Sequence, residues 1–210
     1  MVGSEKLYEK LLSIYPSAGP ELNFSNDFQL LIAVILSAQT TDKRVNIVTE
    51  DLFKKYVGAT AFANADPDIL AEDIRSIGLA KTKASNIIKT CQILIDKHSG
   101  LVPSEKKALL LLPGVGEKTA NVVLSVAFEI PAIAIDTHVF RVSNRLGLIN
   151  TKNIKQAQKQ IEIAINPKYW NKMHHLLIWH GRRICHAKRP ECFKCILRDE
   201  CVFIQKPMEE

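Results

Sequence analysis

No apolar run in this sequence is long enough to cross a bilayer. The longest, LLIAVILSA near residues 30 to 38, falls well short of the roughly 20 residues a spanning helix needs. The opening MVGSEKLYEK is polar and carries two acids; it lacks the basic start and apolar stretch of a signal peptide. No segment alternates convincingly enough for a strand hairpin, and no low-complexity linker interrupts the chain. Acids are scarce against bases, 22 to 28, so the net charge is +6 and the pI about 9.0. At 47% hydrophobic and 24% charged the chain can bury a core, which excludes general disorder. Its 210 residues suffice for one large domain or two small ones. Together these features predict a soluble cytoplasmic protein with no membrane partner, and the basic balance suits a polyanion.

What is present is helical periodicity almost throughout. Leu7, Leu11, Leu12 and Tyr15 share a face before Pro16, and FQLLIAVILSA is apolar on nearly every side, as a central buried helix would be. Val45, Val48, Leu52 and Tyr56 form another stripe. Asp66-Pro67 reads as an N-cap followed by Pro at the first helical position, with a helix through Leu70, Ile74 and Ile77 that Gly78 ends. Ala84, Ile87, Ile88, Cys91 and Ile95 mark a helix that stops near Gly100. Pro103-Ser104 starts a short one running into Leu112. Further helices are expected over 117–128, through Phe140, Val142 and Leu146, and over 153–165 and 168–180, with an extended piece at 131–135. The chain therefore reads as all-α with short connections, in two helical lobes.

The stretch LPGVGEKTANVV (112–123) puts a turn between two helices. Lys118-Thr119 fits the end of a P-loop, but Glu117 stands where its last Gly is required and a helix precedes the turn, which rejects that reading. Gly114 and Gly116 can take backbone angles closed to other residues and leave the amides bare, so a phosphate can dock on the helix start without any base being read. Lys118 is open between a solvated surface lysine and a nucleophile. A helix N-terminus is the wrong end for a cation, and that position with partial burial favours the neutral amine a nucleophile needs. Asp136, in AIAIDTHVFR, suits a helix N-cap; its apolar approach through Ile133, Ala134 and Ile135 would put the carboxylate at an interior edge, compatible with catalysis. His138 is given no role beyond packing or hydrogen bonding.

Four of the five cysteines crowd the C-terminal region as Cys185, Cys192, Cys195 and Cys201. Disulfides are disfavoured in a reducing cytosol, so a metal site is the first reading. Zinc and a four-iron cluster both take four Cys ligands. Only Cys192–Cys195 makes a zinc-type knuckle, and the wider spacings suit a larger inorganic core; zinc stays open. Cys91 lies on an apolar helix face, where packing explains it. Between Arg182 and Arg198, Glu191 alone interrupts a run of bases. A loop pinned at both ends would hold Lys188 and Arg189 outward toward phosphate.

LLIAVILSAQTTD (30–42), IGLAKTKASNI (77–87), LPGVGEKTANVV, AIDTHVFRVSNR (134–145) and the four-cysteine spacing together resemble the endonuclease III family of DNA base-excision repair glycosylases, nearly end to end. The resemblance implies two helical domains with a DNA-binding cleft: a barrel over 21–130 containing the helix-hairpin-helix (about 104–128), and a discontinuous domain of 1–20 plus 131–210 with one 4Fe-4S cluster in its C-terminal loop. It implies a monomer that acts on double-stranded DNA holding a damaged pyrimidine or an abasic site, flips the nucleotide into the cleft, removes the base and cuts 3′ to the lesion by β-elimination. By the same resemblance Lys118 matches the nucleophile, Asp136 the essential carboxylate, and Gly114 and Gly116 the hairpin's phosphate grip. Gln39 matches the residue filling the gap left by the flipped nucleotide, Leu79 an apolar wedge beside it, and the four cysteines the cluster ligands. A buried helix-stop role is the alternative for Leu79.

Three other functions remain open. A monofunctional mismatch or adenine glycosylase keeps the Asp and the cluster; the adenine branch lacks this Lys and usually adds a C-terminal domain, so Lys118 and the end at residue 210 count against it. A non-catalytic DNA-binding metal protein would not need Lys118 paired with Asp136. A zinc protein with no DNA role is separated by iron analysis.

Overall fold

The structure, a computed structural model, describes residues 3–205. Its backbone contacts divide the chain into two compact units: Pro20–Glu129, and Met1–Gly19 together with Ile130–Glu210; residues 1–2 and 206–210 lie outside the described part. Among the described residues all regular structure is helical, and no helix is long and apolar enough to cross a membrane.

In the unit Pro20–Glu129, α2 (Asp27–Ser37) is the central element, with Leu30 through Leu36 all buried. Its start is fixed reciprocally. Asn26 accepts from the Gln29 amide, while the Gln29 side chain accepts from the Ser25 amide at 2.8 Å, a variant of the capping box. Around α2 pack α3 (Asp42–Lys55), α4 (Gly58–Ala63), α6 (Ala80–His98) and α8 (Glu117–Ala127), with α5 (Pro67–Asp73) against α6 and α7 (Lys106–Leu110) against α8. Asp66 caps α5 through the amides of Asp68 and Ile69, with Pro67 in the first turn.

Three details differ from the periodicity. The six-residue α4, GATAFA, is too short to show a period. α5 ends at Asp73, not Gly78; Ile74 and Ile77 stay buried through a turn in which the Ile77 amide donates to the Ile74 carbonyl at 2.8 Å. α7 starts at Lys106, later than Pro103-Ser104, because Glu105 is still extended.

In the other unit, α1 (Ser4–Ile14) packs on α11 (Trp170–Arg183), which in turn packs on α9 (Thr137–Leu146); α10 (Ile154–Ala164) and α12 (Val202–Gln205) also lie against α9. Leu7, Leu11, Val139, Val142, Ile161, Met173, Leu176 and Leu177 form its core. Truncating a fully buried leucine such as Leu11 to Ala would cost about 2–5 kcal/mol. The N-terminal segment is also tied by polar contacts: Lys172 Nζ donates to the carbonyls of Pro16 and Ala18 at 2.9 and 2.7 Å, and Lys10 pairs with Glu200 at 2.6 Å. Among the described residues, 131–135 carry no regular secondary structure. Side chains satisfy this backbone instead: Asn171 accepts from the Ala132 amide, Gln158 donates to the Ile133 carbonyl, and His174 Nδ1 lies 3.0 Å from the Ala134 carbonyl.

Candidate active site and metal centre

The hairpin of α7, turn and α8 is bolted to the body of its unit. Leu112 and Val115 are buried beneath the turn, and Thr90 Oγ1 donates to the Pro113 carbonyl at 2.9 Å. Gly114 has φ +81°, and a Cβ there would stand 3.3–3.4 Å from Asn86 and the Ile35 methyl; glycine is required by both conformation and space. Gly116 corrects the expectation made for it. Its φ of −98° and ψ of −178° are extended backbone that any residue adopts, and nothing lies within 4 Å of a Cβ there. What it leaves is open space at the start of α8, where no side chain caps the first amides.

Lys118 is the second residue of α8 and exposed. The partial burial expected of it is absent, because the hairpin turn projects its first helical turn away from the unit's core. Among the described residues no hydrogen bond or ion pair ties its amine down, whereas the neighbouring Glu117 pairs with Lys106 at 2.7 Å.

Gln39, after α2, and Leu79, before α6, both sit in the left-handed region at φ 57° and 62°. Non-glycine residues hold that conformation at a cost of about 1–3 kcal/mol each, and such strain concentrates at functional sites. Both side chains are exposed, Leu79 at 59%, which overturns the buried helix-stop alternative. Their loops are neighbours: a Cβ on Gly78 would lie 4.0 Å from the Gln39 carbonyl.

In the other unit Asp136 caps α9, its Oδ1 accepting from the Val139 amide at 2.7 Å. Ile133, Ala134 and Ile135 behind it are buried and the carboxylate is half-buried, so the cap and an accessible oxygen coexist. His138 lies 3.1 Å from Arg141 through Nδ1, and burial holds its pKa below the usual imidazole value. Arg141 reaches from α9 to the Cys185 carbonyl (3.0 Å) and the Gly181 carbonyl (2.9 Å).

Cys185, Cys192, Cys195 and Cys201 line one small cavity walled by Val142, Leu146, Ile184, Phe203 and Ile204, and no disulfide joins them. Among the described residues no three His, Cys, Asp or Glu side chains stand close enough to hold a single metal ion. Four free thiols around one cavity fit a group with four sulfur ligands, and zinc and a four-iron cluster both take four. Arg145 donates to Cys185 Sγ at 3.3 Å, and His180 Nε2 lies 3.5 Å from Cys195 Sγ, contacts of the kind that tune metal-bound sulfur. Burial pushes the Cys195 and Cys201 thiols up, and the charge of the neighbouring cysteines adds to it; a cationic group between the sulfurs would reverse that balance. Cys91 is separate, a core residue of the Pro20–Glu129 unit whose thiol burial raises to about 12.

The loop after Cys185 is clipped by Arg145, which donates to the His186 and Ala187 carbonyls at 2.7 and 3.1 Å, and by the Glu191 amide on the Ile184 carbonyl. Lys188 and Arg189 are exposed beyond those clips, Arg189 at φ 51°. Sequence reasoning missed Arg141 and Arg145. Their four-residue spacing puts them on one helical face, but nothing local shows that this face meets the thiol loop.

Residues 32–167 match the family described as HhH-GPD superfamily base excision DNA repair protein. The chain is 44% identical over 203 residues to endonuclease III of Rickettsia felis, covering 97% of this chain and 95% of the relative. It is 46% identical over 191 residues to endonuclease III of Escherichia coli, covering 91% and 90%. A solved structure of a trapped covalent endonuclease III–DNA intermediate superposes with a TM-score of 0.91 at 44% identity, covering 98% of both chains.

Proposed function

We infer the activity from one premise: this chain belongs to the endonuclease III family, within the HhH-GPD superfamily of base excision DNA repair proteins. It is a bifunctional DNA glycosylase and abasic-site lyase that removes oxidised pyrimidines from double-stranded DNA in the cytoplasm. The observation that carries this reading is the free, exposed amine of Lys118 on the second helix of the hairpin, in a chain 44% identical to one trapped covalently on DNA.

The first amides of α8 take a backbone phosphate, with the space at Gly116 letting it approach and Gly114 shaping the turn. Lys188 and Arg189 hold further phosphates. Gln39 and Leu79 enter the duplex where the damaged nucleotide leaves. The Lys118 Nζ lone pair attacks C1′ of the extruded sugar, the bond from C1′ to the base breaks, and the base departs with a proton. Asp136 stabilises the cationic character of the sugar and assists proton transfer. The amine and C1′ form a Schiff base as the sugar ring opens. Loss of a C2′ proton then expels the 3′ phosphate, and hydrolysis frees Lys118. Cys185, Cys192, Cys195 and Cys201 would hold one 4Fe-4S cluster, which supplies structural support and charge transfer or sensing. These residues' own part is to brace the loop that carries Lys188 and Arg189.

The test is product analysis on a duplex with one thymine glycol. Wild type should leave a 3′ unsaturated aldehyde at the nick, and Lys118→Gln should leave the strand intact. Base release without a nick from the wild type would make the enzyme monofunctional, the second reading.

A further inference from the structure

Lys83 has no part in the chemistry above, yet it is the one buried lysine or arginine among the described residues, 4% exposed. No carboxylate pairs with it. Nζ donates instead to the Leu36 carbonyl at 2.8 Å, the Ala38 carbonyl at 2.6 Å and Thr40 Oγ1 at 3.4 Å. Three protons meet three acceptors. The acceptors lie where α2 ends and its last carbonyls have no helical partner, at the negative end of the helix. Burial still pushes the Lys83 pKa below the usual lysine range, so the ammonium stays there at a cost. An apolar side chain of similar length would fill the space without that cost. Nor is Lys83 a spare nucleophile, since its nitrogen is enclosed and its protons are all donated.

The position of the contacts explains the lysine. Gln39 stands between two of the acceptors, Ala38 and Thr40. Leu79 lies one helical turn before Lys83 and accepts its backbone amide at 2.9 Å. One side chain therefore spans the two loops whose tips are the left-handed, exposed Gln39 and Leu79. We propose that Lys83 is a positioning residue that locks these two loops together, so that Gln39 and Leu79 enter the duplex as one rigid wedge. The proposal rests on the role given above to that pair.

The experiment compares cluster-loaded wild type and Lys83→Met by borohydride trapping on two substrates: an abasic site in a duplex, and the same abasic strand alone, whose sugar needs no extrusion. A misplacement of about 1 Å far from the reacting atoms can cost about a hundredfold in rate. The variant should lose that order of rate on the duplex and stay within about threefold of wild type on the single strand. With 2-aminopurine opposite the abasic site, wild type should raise its fluorescence on binding and the variant should not. Equal losses on both substrates, or no loss on the duplex, overturn the proposal. If Lys83→Met does not fold, Lys83→Arg, which keeps the cation but moves its donors, carries the same comparison. Failure of the wild type to trap on the duplex would refute the lysine mechanism instead, which keeps the two claims apart.

Discussion

Gly114 and Gly116, two residues apart, should answer to alanine in opposite ways. At Gly114 an alanine must hold φ +81°, at about 1–2 kcal/mol for the left-handed backbone. Its methyl would also press on Asn86 and the Ile35 methyl at 3.3–3.4 Å; Asn86 can turn aside, but Ile35 is packed in α2. Against this stands about 0.4–1 kcal/mol regained from a stiffer unfolded chain. The net cost is about 2 kcal/mol, or about 4–8 °C in melting temperature for a chain of this size. At Gly116 the backbone suits any residue and nothing is crowded. The unfolded-state gain roughly cancels the poorer N-cap, leaving stability within about 0.5 kcal/mol. On the phosphate grip proposed above, the methyl would nonetheless stand in the path to the first amides of α8. Thermal melts and fluorescence anisotropy on a duplex with a tetrahydrofuran abasic analogue separate the two effects. Gly114→Ala should melt early; Gly116→Ala should melt like wild type and bind about tenfold more weakly, the scale of one lost charge-assisted hydrogen bond. A Gly114→Ala protein with wild-type stability, or a Gly116→Ala protein with full affinity, refutes this account of the turn.

Asp136→Asn keeps an N-cap of equal quality, so its melting temperature should stay near wild type while glycosylase turnover falls about 10²–10³-fold; an active Asn variant would remove the carboxylate from the chemistry. Replacing Lys188 and Arg189 with Ala should weaken binding to damaged and undamaged duplexes alike and reduce the salt slope of log K by about 2; an unchanged slope would show that these side chains meet no phosphate. His175 is held neutral, its pKa lowered to about 3 first by burial, then by His174 and Lys172. The unfolded state binds the extra proton, so His175 stabilises the fold fully above about pH 6.5 and loses that contribution as pH falls toward 3. Urea melts should show on the order of 1 kcal/mol of this loss by pH 5.5, absent in His175→Gln; equal acid sensitivity of both proteins would refute it.

Much of the fold could be read from the sequence because its signals are local. The apolar LLIAVILSA becomes the buried α2, and Asp66 and Asp136 cap helices because a cap bonds only two or three residues ahead. Lys118 in the first turn of α8 follows from the same short-range logic. The exposure of Lys118 and Leu79 could not be read this way, because it depends on which way each turn projects from its unit. Nor could the contacts of Lys83, whose acceptors lie more than 40 residues away. Its place four residues before Ile87, on the buried face of α6, was the available signal. The cysteine spacing suggested a metal group, yet the Arg145 and His180 contacts on its sulfurs span up to 40 residues and no local pattern encodes them.

The central claim is that Lys118 joins DNA covalently. Borohydride trapping on a thymine glycol duplex, followed by peptide mass analysis of the adduct, tests it most directly. The account predicts one reduced sugar adduct per wild-type chain, on the peptide containing Lys118, and none from Lys118→Gln. An adduct on another residue, or no adduct from active cluster-loaded wild type, would contradict it.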